Sequence, residues 1–152
     1  FTQDTTVAFG FPDIIFKPDD AFSKLLAKQA EYGADIVLGL FKASQSHKKD
    51  MVGLDSEGQI CEIQIKPALT NLRYTWIIAV WGPSFTHFMH EVVFDIQNKS
   101  DTPMTDREVF FSDVINAAIQ SDMQIDKVIF DDGFCLDIGT PENLVKATQL
   151  TL

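Results

Sequence analysis

Two aspartates, Asp13 and Asp137, are the first candidates for chemistry because each follows a hydrophobic segment. Asp13 ends the run VAFGFPD, and Asp137 lies in CLDIGT. Ligands of open α/β sheets collect beyond the carboxyl ends of the strands, and Mg²⁺ takes one or two carboxylates together with waters and phosphate oxygens. The pair therefore predicts a magnesium site. The alternative is that each aspartate only caps its own turn, which on spacing alone is the more common use of this residue type.

Two basic residues near strand ends could meet a phosphate group. Lys66 follows the segment ICEIQI and precedes Pro67, and Arg73 stands just before YTWIIAVW. A lysine binds phosphate as a point charge, so both residues are candidates for substrate binding. For both, a solvated side chain at a strand end is the alternative, and on the residues alone it is the more common outcome.

The size and charge of the chain limit what it can bind. It has 152 residues, of which 45% are hydrophobic and 22% charged, and its formal net charge is −10. These values are typical of one globular domain in water. The negative charge opposes non-specific binding to nucleic acid or to an anionic membrane, so we expect neither partner. A small anionic substrate would have to meet local bases, a helix N-terminus or a metal ion.

The cysteines and the hydrophobic segments indicate the cellular compartment in which the protein lies. Cys61 and Cys135 lie in apolar or alternating segments without metal-ligand spacing, so we expect two buried free thiols in a reducing environment. No segment approaches the roughly 18 uncharged apolar residues of a membrane span. These features predict a cytoplasmic protein. Because the chain begins with Phe1, we also expect its N-terminal end to be incomplete.

The N-terminal segments that must position these residues predict a strand, a helix and a second strand. Residues 7–11 and 36–41 are almost uninterrupted apolar runs. Between them, residues 18–20 supply a proline and two acids suited to the start of a helix, and Gly33 can end it. Two fully apolar strands joined by a helix are typical of a right-handed crossover in a parallel sheet.

The remaining segments also predict strands and helices in alternation, and together all segments predict a single mixed α/β domain over residues 1–152. A tight turn at residues 55–58 predicts a hairpin whose second arm places Cys61, Ile63 and Ile65 on one face. A polar segment at residues 43–50 predicts a surface loop. The other predicted elements are a strand at 74–81, a helix at 84–97, a polar break at 98–106, a helix through 114–119, a strand, turn and strand within 127–139, and a helix that begins at Thr140.

The order of these segments resembles the sugar-phosphate nucleotidyltransferases, the group that includes glucose-1-phosphate thymidylyltransferase. The resemblance rests on GFPD after a strand, ADIVLGLF, a hairpin leading into lysine-proline, YTWIIAVW and LDIGTPENLVKA, and LDIGTPE is its most specific element. It covers nearly all of the chain. It implies a Rossmann-like fold of nucleotide-diphospho-sugar transferase type, in which a sugar 1-phosphate attacks the α-phosphorus of a nucleoside triphosphate and pyrophosphate leaves.

The resemblance also implies roles for individual residues. It implies that Asp13 and Asp137 hold Mg²⁺ and that Lys66 contacts the sugar phosphate. It implies a sugar 1-phosphate and a nucleoside triphosphate as partners, and it requires no nucleophilic side chain from the protein. Two alternatives are a non-catalytic module that binds a sugar phosphate or sugar nucleotide, and a structural domain whose acids are only turn caps.

The chain departs from the family pattern at several places. A glycine-rich loop with an arginine and a lysine is absent from these residues, as are the two common phosphate-loop motifs. Asp50 stands where the resemblance implies a glycine, Ile65 where it implies an acid, and Ile77 or Ile78 where it implies a small residue. We therefore expect that these 152 residues alone do not turn over substrate. A sheet edge left uncovered would also favour self-association into a homo-oligomer.

Overall fold

The computed structural model describes residues 4–98 and 109–150, which form strands and helices in an alternating order. A short 3₁₀ turn at Ser46–Lys48 lies in the predicted loop. The elements are β1 (Val7–Gly10), β2 (Ile14–Lys17), α1 (Ala21–Tyr32), β3 (Ile36–Lys42), β4 (Met51–Leu54), β5 (Ile60–Gln64), β6 (Tyr74–Trp81), α2 (Pro83–Asn98), α3 (Phe111–Ile119), β7 (Ile125–Phe130), β8 (Phe134–Asp137) and α4 (Pro141–Thr148). The predicted polar break after α2 lies, beyond Asn98, outside the described residues.

The main sheet is organised by β6, which is paired along both edges. Strand β3 is antiparallel to it along one edge. The other edge is shared, because β4 pairs with Tyr74 and Thr75 near the start of β6, and β1 pairs with the segment from Ile78 to Trp81. With β5 beside β4 and β7 beside β3, the order is β5-β4-β6-β3-β7. Every residue of β6 after Tyr74 is buried, as expected for a strand with two neighbours.

The predicted crossover between the first two apolar strands is wrong in its pairing. Strands β1 and β3 run in the same direction, but β6 lies between them and is antiparallel to both. The parallel pair is β3 and β7. The sheet is therefore mixed, which the local apolar runs could not show because pairing depends on segments distant in the sequence.

A second, two-stranded sheet consists of β2 and β8, which pair antiparallel. Strand β2 was not predicted, because only four residues separate Asp13 from Pro18 and all four are half-buried. The pairing places Ile14 opposite Asp137. It therefore joins the segment after β1 to the segment before α4, two parts of the chain that lie far apart in sequence.

Hydrophobic residues of the main sheet divide between its two faces with the period of two expected of a strand. On β3, Ile36, Leu38 and Leu40 belong to one core cluster, which α2 and α3 cover. Val37 and Phe41 belong to a second cluster, which α1 covers. The molecule thus has three layers, and none of the helices in the described part is long and apolar enough to cross a bilayer.

The helix ends follow the predicted capping residues closely. Gly33 has a φ of +66° and its N–H donates to Gln29 O at 2.8 Å, which ends α1. Thr140 Oγ1 accepts a hydrogen bond from the backbone N–H of Asn143 at 3.3 Å, and Pro141 opens α4. Helix α1 begins at Ala21, slightly later than the predicted start.

Cys61 is exposed, so the prediction of two buried thiols is wrong for this residue. The pairing of β4 with β5 shifts between Gly53 and Leu54, and Cys61 has no residue opposite it. This bulge breaks the simple alternation of β5 and lets Ile60 and Ile63 both pack against the core. Cys135 is half-buried, and both thiols are free.

We predict that Gly39→Ala destabilises the protein by about 1–3 kcal/mol because it overpacks the core. A Cβ at position 39 would lie 2.5 Å from Ile78 Cγ1, on the buried strand beside it. Urea unfolding measures the loss. Gly82→Ala is the matched control, since its Cβ would meet nothing closer than Gln29 Nε2 at 3.6 Å. Equal stability of the two variants would contradict the close packing of β3 against β6.

Candidate functional site

A cavity of about 330 Å³ lies where the first half of β6 meets the start of β4, the start of α3 and the sheet of β2 and β8. Aromatic and charged side chains form most of its wall. The lining residues are Phe11, Asp13, Ile14, Lys48, Lys49, Asp50, Lys66, Thr75, Trp76, Ile77, Phe110, Phe111, Ser112 and Asp137.

Asp13 and Asp137 converge at one point of this cavity. The backbone N–H of Ile138 donates to Asp13 O at 2.8 Å, which extends the pairing of β2 with β8. A Cβ at Gly139 would lie 3.0 Å from Asp137 Oδ1 and 3.4 Å from Asp13 Oδ2. The absence of a side chain at Gly139 thus leaves open a position that both carboxylates face.

Capping of a local turn, the alternative role of these aspartates, involves the carboxylate of Asp137 but not that of Asp13. Asp137 Oδ1 accepts a hydrogen bond from the backbone N–H of Gly139 at 2.8 Å, a local turn bond. The Asp13 carboxylate has no hydrogen bond or ion pair with any described residue. Both side chains are exposed. Most of their oxygen acceptors are therefore available to a ligand.

This donor set fits a hard cation with an incomplete protein shell. Within residues 4–98 and 109–150 there is no group of three or more His, Cys, Asp or Glu side chains able to hold a metal ion. Mg²⁺ does not require one, because it commonly binds one or two carboxylates and keeps waters or phosphate oxygens as its other ligands. Asp13 and Asp137 match that requirement, and softer metals would find neither histidine nor thiolate in this pair.

Lys66 also lines this cavity. Its backbone has a φ of +41°, an uncommon conformation for a residue other than glycine. Its Nζ lies 5.1 Å from the centre of the Phe110 ring. Lys66, two residues after β5, thus lies beside the residue that precedes α3.

Two further lysines line the cavity and were not predicted as site residues. Lys48 and Lys49 belong to the polar segment that predicted only a surface loop. Lys49 Nζ lies 3.8 Å from Cys135 Sγ, which attaches this loop to β8. Adjacent lysines just before a strand were the available sequence signal, but a segment without a period does not show which way its side chains point.

The charged groups of the cavity do not neutralise one another. It is lined by three lysines and three aspartates. None of the ion pairs between described residues includes one of these six side chains; the pairs found are Lys17–Asp19, Lys24–Asp20, Lys28–Asp126 and Lys42–Asp131. Charges of both signs therefore remain available to a ligand.

The three departures from the family pattern have different places in the structure. Asp50 lines the cavity, and its Oδ2 accepts a hydrogen bond from Ser112 Oγ at 2.6 Å. Ile77 also lines the cavity, where its side chain takes up space. Ile65 is half-buried and is not among the described residues of the cavity wall.

Arg73, the other predicted substrate-binding residue, is exposed and is not among the described residues that line the cavity. Its guanidinium carbon lies 5.9 Å from the centre of the Tyr74 ring. Tyr74 Oη donates a hydrogen bond to Asp131 Oδ1 at 2.9 Å, and Lys42 Nζ lies 3.2 Å from the same oxygen. The hydrogen bond raises the pKa of Tyr74, and together with Lys42 it lowers the pKa of Asp131.

Comparisons with known proteins connect this geometry to one family and one fold. The model of the nucleotidyl transferase family matches residues 3–152. A Bacillus anthracis protein named as a glucose-1-phosphate thymidylyltransferase, whose crystal structure was solved in complex with a sucrose, superposes with a TM-score of 0.76 at 16% identity. The match covers 97% of this chain and 55% of that chain, so this chain spans about half of its neighbour's length. The comparison with curated proteins gave no significant match.

These findings confirm the predicted fold class and the resemblance. At 16% identity the structural neighbour shows the fold alone, a mixed α/β arrangement of nucleotide-diphospho-sugar transferase type. The family match covers nearly the whole chain and is independent of that superposition. Neither finding assigns a role to a particular residue of the cavity.

We predict that Tyr74→Phe raises the pKa of Asp131 toward its ordinary value, because the Tyr74 hydrogen bond is the largest cause of the depression. A depressed folded-state pKa stabilises the fold above the unfolded pKa of about 3.9, and that contribution disappears as the pH falls through the folded value. The variant should therefore lose less stability on acidification. NMR titration of the Asp131 carboxyl group measures the shift.

Arg73→Gln is the control for that titration. Arg73 is the weakest of the causes that lower the pKa of Asp131, so its replacement should move the pKa less than Tyr74→Phe does. A titration of Asp131 that is unchanged in Tyr74→Phe would contradict the hydrogen bond as the main cause.

Proposed function

We propose, from the premise that this chain belongs to the nucleotidyl transferase family, that its cavity holds the sugar 1-phosphate and Mg²⁺ of a nucleotidyl transfer reaction. In that reaction a phosphate oxygen of the sugar 1-phosphate attacks the α-phosphorus of a nucleoside triphosphate, and pyrophosphate leaves. The observation that carries the proposal is the convergence of Asp13 and Asp137 on Gly139, in the cavity that Lys66 also lines.

The residues of this chain would act by binding and orientation. Asp13 and Asp137 would hold the cation, which when bound would neutralise phosphate charge. Lys66 would contact the sugar phosphate as a point charge, and its ammonium has no carboxylate partner among the described residues. Because the sugar phosphate supplies the nucleophilic oxygen, the rate gain comes from positioning and charge neutralisation rather than from a covalent intermediate.

The shape and wall of the cavity support a ligand of sugar-phosphate size. A volume of about 330 Å³ falls at the lower end of the roughly 300–1,000 Å³ of small-molecule sites, which combine apolar and aromatic walls with a few polar groups. The aromatic part of this wall consists of Phe11, Trp76, Phe110 and Phe111. A sugar ring has apolar C–H faces suited to such rings, while its phosphate requires the charged groups.

A second candidate function is a module that binds a sugar phosphate or sugar nucleotide without turnover. It is favoured by the cavity wall, because Asp50 and Ile77 lie there where the resemblance implies a glycine and a small residue. The sugar and base named for the structural neighbour are the first probes for either function. A cytoplasmic location, consistent with two free cysteines, is part of the proposal, and self-association remains a prediction.

We predict that Asp13→Asn and Asp137→Asn each weaken Mg²⁺ binding by roughly 10-fold or more, since even groups that only orient metal ligands contribute 10–100-fold. Isothermal titration with Mg²⁺ measures the affinity. Gly139→Ala should weaken it as well, because its Cβ would occupy the position that both carboxylates face. Asp132→Asn is the matched control, since Asp132 is exposed in the turn before β8 and is not among the described cavity residues. Wild-type affinity in both aspartate variants would contradict the metal site.

We predict that Lys66→Met weakens binding of glucose 1-phosphate by roughly 10-fold, the contribution of one charge-assisted contact. Lys24→Met, on the solvent side of α1, should leave the affinity unchanged. Pyrophosphate release from the 152-residue chain, given glucose 1-phosphate, dTTP and Mg²⁺, shows whether these residues alone catalyse the transfer. We expect saturable binding without turnover. Pyrophosphate formation would show catalysis within these residues, and failure to bind any sugar phosphate would contradict both functions.

A further inference from the structure

Asp50 is the third carboxylate of the cavity and lies away from the convergence point at Gly139. It precedes β4 and is half-buried. Its Oδ2 accepts a hydrogen bond from Ser112 Oγ at 2.6 Å, and Ser112 Oγ accepts one from Trp76 Nε1 at 3.0 Å. Ser112 and Trp76 are almost completely buried. One side of the carboxylate is thus fixed to the core.

The other oxygen of Asp50 has no partner. Asp50 Oδ1 is shielded from solvent and accepts no hydrogen bond from any described residue. An ionised carboxylate has about four acceptor positions, and a buried acceptor left without a donor is costly. Asp50 lines the cavity, so a ligand bound there is the available source of a donor for this carboxylate.

The charges around the cavity indicate which kind of donor would satisfy Asp50. Three lysines and three aspartates line it, so their formal charges sum to zero. The sum stays zero when a divalent cation and a phosphate dianion bind together. An additional cationic group on the ligand would disturb that balance. A neutral donor, such as a hydroxyl, would satisfy the acceptor without adding charge.

We propose that Asp50 is a specificity-determining residue that accepts a hydrogen bond from a hydroxyl of the sugar whose phosphate lies near Lys66. The proposal rests on the proposed function and adds to it the requirement for a hydroxyl at one ring position. A site built to bond a hydroxyl rejects the analogue that lacks it, because its own polar group is then left unpaired. The ligand class is therefore a hydroxylated sugar 1-phosphate, with selection against one of its deoxy analogues.

The experiment is isothermal titration of the 152-residue chain with glucose 1-phosphate and with each of its singly deoxygenated analogues. For the wild type we expect one analogue to bind roughly 10-fold more weakly than glucose 1-phosphate, as for the loss of one hydrogen bond to a charged group. Asp50→Asn should bind the parent compound more weakly and should discriminate less against that analogue, because a neutral amide bonds a hydroxyl more weakly than a carboxylate does. Its side chain has the same shape and can still accept from Ser112.

Ser112→Ala is the matched control for a merely structural role of Asp50. It removes the bond that fixes the carboxylate to the core but leaves the carboxylate in place, so we expect it to retain wild-type discrimination. Asp50→Ala is a second variant that removes the acceptor altogether, and thermal melting shows whether each variant is folded. The discrimination ratio is the decisive readout, because a change in stability alone would not alter it selectively.

Three results would overturn the proposal. Equal discrimination by wild type and Asp50→Ala would show that Asp50 does not contact the sugar, and binding that still depends on Lys66 would leave the proposed function intact. Loss of discrimination in Ser112→Ala to the same extent as in Asp50→Ala would assign Asp50 a structural role. Wild-type binding of glucose 1-phosphate no tighter than that of inorganic phosphate would overturn the proposed function and this inference together.

Discussion

The pairing of β2 with β8 is the constraint on which the candidate site depends. These two short strands place Ile14 opposite Asp137, and the hydrogen bond from Ile138 N–H to Asp13 O extends their pairing. Without this pairing, the two aspartates would lie on separate loops, and nothing would hold their side chains near each other. Because a two-stranded sheet of this length is marginal alone, its stability must come from packing, and Phe16 and Cys135 do pack against the core cluster under α1.

The main sheet supplies the rigid frame for the other side of the cavity. Strand β6 is buried, and β3 pairs with it at Thr75 and Trp76, so these two residues form a fixed wall. Ile77 lies at the register shift between Gly39 and Leu40, where burial holds it in place. The start of α3 and the lysine after β5 are brought to this wall by hydrogen bonds in both directions between Asn116 and the backbone of Ile63, each 2.8 Å long. Groups carried on packed strands and helices hold their positions better than groups on free loops, which suits chemistry that works by positioning.

The sequence predicted the long apolar elements well, because their periodicity and caps are local properties. It did not predict β2 or the antiparallel placement of β6 between β1 and β3, since both depend on distant pairing. The family resemblance implied that Asp13 and Asp137 meet, but the antiparallel pairing of β2 with β8 that brings them together was not predicted. The contributions of Lys48 and Lys49 were not predictable, because an aperiodic loop does not fix the direction of its side chains. Arg73 looked equivalent to Lys66 in sequence, yet it lies beside Tyr74 instead.

The central claim is that one cavity joins a carboxylate pair for a cation to lysines for a phosphate. Paramagnetic broadening of amide NMR signals by substoichiometric Mn²⁺, a spin-active substitute for Mg²⁺, tests it most directly, because it locates the ion without a mutation. The account predicts that the signals of Asp13, Asp137, Ile138 and Gly139 broaden first, and that added glucose 1-phosphate shifts the signal of Lys66. Broadening centred on another acidic segment, such as the turn at Asp131 and Asp132, or no localised broadening, would contradict it.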